Sequence, residues 1–306
     1  MCLEMIRRSL TGKGLTPASS VPELSGGWLE EPSIIPARLL EGLELLAIGV
    51  GAAVPWPDPV AYLDGMQRSE TVGYLGSSPL LIAEIAAAVR ERRQGRLHTA
   101  LEEHRRLALG RPAVLEAAGD VVARLDLIPL PDNEPAHPVR DLLIAGRALD
   151  RARSSLERSL GDQYRSQCED WLIVDGALSD SPRWSSDARM VAVSRSHSIL
   201  PFEGRNLDRY LRLPVHHRSS IYAPAARSVA PVCSWGLRLW PWEGKDLLHG
   251  LVRIEVAPEN ATPEIADMIS RWMLAERAPV SAPAARWDRL LYGIHSVEDY
   301  LRARHI

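Results

Sequence analysis

Three carboxylates in this chain have the type and setting that bind divalent cations. Asp64 and Asp175 each follow a short apolar run and precede a glycine, in Val60-Ala61-Tyr62-Leu63-Asp64-Gly65 and Leu172-Ile173-Val174-Asp175-Gly176. A carboxylate at the end of a buried strand is held rigidly at the sheet edge, and the glycine lets the backbone turn away from a ligand. Hard cations take oxygen ligands at about 2.0–2.6 Å, so two such acids side by side form a metal site for phosphate chemistry. Taken singly, each Asp-Gly pair also reads as an ordinary turn. Glu157 adds a third acid: it lies one position past Leu156, on the flank of a helical apolar stripe, in the connection leading to the Asp175 strand. Alone it reads as a solvated helix residue beside Arg153 and Arg158.

The elements that would position these acids follow from hydrophobic periodicity. Leucines at 39, 40, 43 and 46 predict a helix over Ala37–Ile48. Val60–Leu63 reads as a strand ended by Asp64-Gly65, with Thr71–Leu75 pairing back on it. Leu80–Val89 fits either a helix or a third strand. Arg90–Leu125 reads as charged helix broken by Gly110 and Pro112, and the proline-rich Ile128–Pro138 as a connector. A long helix suits Val139–Tyr164, with Leu142, Leu149, Leu156 and Leu160 in one stripe. Strands are expected at Trp171–Val174, Arg189–Val193, Trp235–Leu239 and Leu251–Val256, and helices at Pro263–Glu276 and Val297–Ala303. Strands first, then alternating helix and strand, predict a mixed α/β sheet.

Composition sets the outer bounds. At 306 residues, 46% hydrophobic and 25% charged, the chain has the size of about two domains or one elaborated domain. Its longest apolar run near the N-terminus, Leu45–Val54, falls short of the ~20 residues that cross a bilayer, and no secretion signal is evident. Cys2, Cys168 and Cys233 are too dispersed for a zinc motif or a disulfide framework, so a reducing cytoplasm is the simplest compartment. A net charge of −3 excludes histone-like binding and leaves nucleic-acid recognition to local patches. One such patch is Arg90–Arg106, where Arg92, Arg93 and Arg96 are candidate phosphate contacts; a solvated charged face is the alternative. Trp240-Pro241-Trp242 reads as an aromatic loop that could meet DNA or a partner. A phosphate-binding loop, a nucleophile elbow and a zinc-protease helix are all missing from the sequence.

The order of these features resembles the NurA nuclease family: apolar strand into Asp-Gly, hairpin, helical material, helix bearing Glu, apolar strand into Asp-Gly-x-Leu (Asp175 to Leu178). The likeness continues through Met190-Val191-Ala192-Val193-Ser194-Arg195 to Leu291-Tyr292-Gly293-Ile294-His295. What it implies is a ribonuclease H-like core; with the Gly- and Ser-containing residues 1–33 read as a leader, the α/β domain covers 34–306 and carries a helical insertion at about 90–138. It further implies a manganese- or magnesium-dependent DNA nuclease, commonly a homodimer working with a hexameric HerA-type DNA-translocating ATPase in end processing or defence. Carried over, Asp64, Glu157 and Asp175 would hold two metals, one activating water for in-line attack and one neutralising the leaving oxygen. His295 would stand near the scissile phosphate as ligand, proton carrier or charge stabiliser, with Tyr292 a looser match. Met66 and Ala177 replace small hydroxyl residues common in the family, and Arg195, a further candidate DNA contact, stands where a lysine is frequent. The alternative in another class is a non-catalytic subunit that keeps the fold to bind DNA or dock on an ATPase.

Overall fold

The computed structural model describes residues 32–225, 230–279 and 287–305. Of the leader expected over 1–33, residues 1–31 lie outside the described residues. The main elements are β1 (Val60–Leu75), β2 (Ser78–Arg93), β3 (Arg96–Gly110), α1 (Pro138–Arg165), β4 (Trp171–Asp175), β5 (Met190–Ser194), β6 (Cys233–Arg238), β7 (Leu251–Val256), α2 (Pro263–Glu276) and α3 (Tyr292–His305). The mixed α/β class is as the sequence predicts. The chain forms two compact units, one of Asp58–Leu172 with Gly293–Ile306, the other of Ile173–Tyr292 with the described part of Glu30–Pro57. No helix among the described residues is long and apolar enough to cross a membrane.

The first unit is built on a long antiparallel ribbon. β1 and β2 pair from Val60↔Arg92 to Leu75↔Ser78, β3 continues the ribbon, and the short strand Asp126–Pro129 closes it in parallel. Here three expectations fail. β1 does not stop at Asp64-Gly65 but runs on to Leu75, 16 residues in all, so Thr71–Leu75 is its continuation and not a separate strand. The stretch expected as a helical insertion instead holds the end of β2, all of β3 and the strand Asp126–Pro129, with helix only at Pro112–Ala118 and a turn of 3-10 helix after it. The physical reason is the two-residue turn Gln94-Gly95, both at positive φ (52° and 71°), which matches the twist of a hairpin. Charges then pair across and along the strands, as in Arg106–Glu84 at 3.0 Å and Arg105–Glu103 at 2.6 Å, a ladder that a helix would not have formed.

α1 packs on this ribbon through Leu149, Leu156, Leu160 and Tyr164, all buried. Its start is fixed by Pro138 at the first helical position and by His137, whose Nδ1 accepts the Arg140 N–H at 3.4 Å. α3 buries Ile294, Val297 and Leu301 at helical spacing. Arg90 donates to the Ser296 carbonyl at 3.0 Å, and the Tyr300 hydroxyl donates to Glu102 at 2.6 Å. These charges of the ribbon are therefore spent on seating α3.

In the second unit the strands lie in the order Arg38–Leu39, Tyr222–Ala223, β6, β7, β5, β4. The helix expected over Ala37–Ile48 is absent; the chain forms short strands at Arg38–Leu39 and Ala47–Gly49. Its leucines fail as an amphipathic face because Leu43 is fully exposed and Leu46 nearly half exposed, while only Leu45 is buried. Glu41 instead fastens this segment by accepting from the buried Arg218 at 2.6 Å and from the Ile221 N–H at 3.0 Å.

A methyl group at position 293 would lie 2.1 Å from Tyr62 Cε1, so glycine there lets α3 meet β1 at backbone contact. Gly293→Ala should cost ~1–3 kcal/mol by overpacking. Gly146→Ala, in open space on α1, should instead gain up to ~1 kcal/mol from helix propensity. Urea denaturation of the two variants checks both signs.

Candidate metal centre

Asp64 sits within the run of β1, buried at 4% exposure, and its Oδ1 accepts the N–H of Gly65 at 2.7 Å. Gly65 is required for space. A Cβ at that position would fall 2.2 Å from Glu157 Oε1 and 2.9 Å from its Cγ, so α1 can lay Glu157 across β1 only where β1 has no side chain. Arg153, one turn earlier on α1, pairs with Glu157 Oε1 and donates from Nε to Gln67 Oε1 at 3.3 Å. Burial pulls the Arg153 guanidinium down, but the charges of Glu157 and Asp64 outweigh it and hold its pKa above the ordinary value.

α3 contributes a fourth residue that the sequence reading missed. Glu298 carries a carboxylate oxygen within 4.8 Å of one on Asp64. His295 lies three positions before it, with Nδ1 buried at 3.7 Å from Glu298 Oε2 and Nε2 at 3.2 Å from Asp299 Oδ2. The signal was present as His-x-x-Glu, a spacing that puts both side chains on one helix face. It went unread because α3 was placed only from Val297 onward. Asp64, Glu157 and Glu298 are hard oxygen donors with an imidazole beside them, a set that suits Mg2+ or Mn2+. Asp64 and Glu298, with carboxylate oxygens within 4.8 Å of each other, favour a cation, since like charges this close are costly without one.

Asp175 belongs to the other unit. It ends β4, and the chain bends at Gly176, which stands at φ 132° and whose N–H donates to the Val193 carbonyl at 3.1 Å. Arg195 forks onto Asp175, Nε to Oδ1 at 3.3 Å and NH2 to Oδ2. Behind the turn, the buried Glu255 of β7 accepts the Leu178 N–H at 3.0 Å and lies 3.3 Å from Arg253. Burial pushes the Glu255 carboxyl above the usual range.

The other candidates divide. Tyr292 opens α3 and is 55% exposed, in the unit that does not contain Asp64. Arg93 is held by Glu91 and Asp170, each at 2.6 Å, and Arg92 lies 3.5 Å from Asp58 and over the Tyr62 ring. Arg96 is exposed beside the hairpin turn. The patch is thus largely an ion-pair lattice, and Arg195 is engaged by an acid of its own unit. Trp242 is buried and Trp240 stacks under Arg277 at 4.4 Å and against Trp287 at 5.3 Å, so both read as packing.

No family model matches the sequence, and no curated protein matches it. Among solved structures, the fold is similar to that of the NurA nuclease from Sulfolobus solfataricus, with a TM-score of 0.52 over 83% of this chain and 81% of that one, at 10% identity. The chain therefore has a NurA-like, ribonuclease H-like fold.

A carboxyl whose pKa is raised on folding binds more protons folded than unfolded, so its contribution falls as pH rises from about 4.3 through the raised value. Glu255→Gln removes that dependence. Urea midpoints from pH 4 to 8 should show the variant gaining on the parent as pH rises and then levelling off; a flat difference would contradict the assignment.

Proposed function

We propose that the chain is a divalent-metal-dependent nuclease that hydrolyses phosphodiester bonds of DNA. The observation that carries this reading is the meeting of Asp64 and Glu298 within 4.8 Å, with Glu157 laid over Gly65, in a NurA-like fold. Asp175 enters this reading only as the sequence resemblance implies it, as a further candidate ligand.

Asp64, Glu157, Glu298 and Asp175 would hold Mn2+ or Mg2+. A bound cation there supplies positive charge against the phosphate oxygens and acidity to a coordinated water. In this reading His295, 3.7 Å from Glu298, would carry a proton to or from the reacting oxygens. The same reading includes a second copy of the chain and a HerA-like hexameric ATPase as partners, in DNA end processing or defence within the cytoplasm.

A second reading, a non-catalytic DNA-binding or ATPase-docking subunit, has one observation in its favour: Arg153 and Arg195 already neutralise Glu157 and Asp175. Digestion of end-labelled linear DNA separates the two. With Mn2+ the parent should cut, and Asp64→Asn, Asp175→Asn and Glu298→Gln should each lose at least ~10–100-fold while melting cooperatively. Cutting that survives all three substitutions rules out this centre; no cutting by the parent, with or without a HerA-type ATPase, favours the subunit.

A further inference from the structure

The acids of the first unit are not left to repel one another. Arg153 is held at its two ends by different elements: α1 through the Glu157 pair, and β1 through Gln67, whose Nε2 in turn donates to Asp150 at 2.7 Å. Its guanidinium therefore has one seat, defined by α1 and β1 together, and the charges that act on it most strongly are Glu157 and Asp64. An ordinary surface pair four residues apart on a helix has no such second anchor and contributes little. Here the side chain is 27% exposed and its partner 12%, so the pair stands in a largely dry corner where each charge depends on the other.

We propose that Arg153 is the built-in counter-ion of this centre, neutralising Glu157 and Asp64 until a divalent cation enters and then yielding Glu157 to it. The inference rests on the metal-centre reading above. A guanidinium and a dication want the same carboxylate lone pairs, so the affinity of the site for metal is set partly by how firmly Arg153 holds Glu157. Removing the guanidinium leaves crowded acids without compensation: the metal-free protein loses stability, and the same repulsion strengthens metal binding. Arg153 would thus lower affinity while keeping the empty site folded, in the role of a positioning residue.

The test uses the full chain and Mn2+ alone, followed by titration calorimetry and by melting with EDTA or with Mn2+. Arg153→Gln should bind Mn2+ about tenfold more tightly than the parent, the scale of a neighbouring positive charge on a carboxylate. It should melt lower than the parent in EDTA and gain more from added Mn2+. Arg153→Lys keeps a charge but cannot fork between Glu157 and Gln67, and should show the same shift at smaller size; it carries the comparison if the glutamine variant does not melt cooperatively. Mn2+ affinity unchanged or weakened in the variants, with the parent binding normally, overturns the counter-ion role and leaves the metal centre standing. Failure of parent and variants alike to bind Mn2+ overturns the metal centre and the inference with it.

Discussion

Glu157 can lie over β1 only because residue 65 has no side chain, and that single allowance organises the first unit. A Cβ there would overlap the carboxylate itself. With the space open, α1 settles on the ribbon at a level where Glu157 and Arg153 stand over the strand that carries Asp64 and Gln67. The opening at Gly293 does the same for α3, bringing Tyr62 against its first turn and Glu298 to Asp64. Two helices from distant parts of the chain are thus indexed against β1 by two missing methyl groups. The chemistry follows from the indexing: carboxylates that would separate in water are held together by packing, and positive charge is drawn in to meet them.

Charge elsewhere in the molecule is used structurally. Arg105 and Arg106 face acids on the same or the neighbouring strand, and Arg90 and Glu102 dock α3. In the second unit, Arg218 is fully buried yet satisfied by Glu41 and Asp267, and Arg238 donates to backbone carbonyls at Leu213, Leu211 and Leu247. Removing one partner of such a group leaves a buried charge without compensation, which is far more costly than losing a surface pair. Arginine density in this sequence is therefore a poor guide to where a phosphate would bind.

Much of the architecture was legible in the residues. The extents of α1, β4, β7 and α2 follow from apolar runs and helical stripes, because burial imposes those patterns directly. The acid positions Asp64, Glu157 and Asp175 were legible as candidates. The failures share a cause. The stretch from residue 78 to 110 is rich in Ala, Arg, Glu and Leu, whose helix propensity is overridden by ribbon pairing and by the Gln94-Gly95 turn. The leucines before residue 47 have helical spacing with no surface to pack on. Glu298 is legible only as the acid of a His-x-x-Glu spacing; that it meets Asp64 depends on Gly293 and Tyr62, a contact between residues far apart in sequence.

The first unit is discontinuous along the chain, its last helix being supplied by Gly293–Ile306. On a ribosome adding about 5–20 residues per second, Asp64 and Glu157 emerge on the order of ten seconds or more before Glu298. The ribbon and α1 can form early, but the cluster of acids closes only when α3 arrives. A nascent chain therefore spends most of its synthesis without the assembled acids, so completion of the cluster is timed by translation.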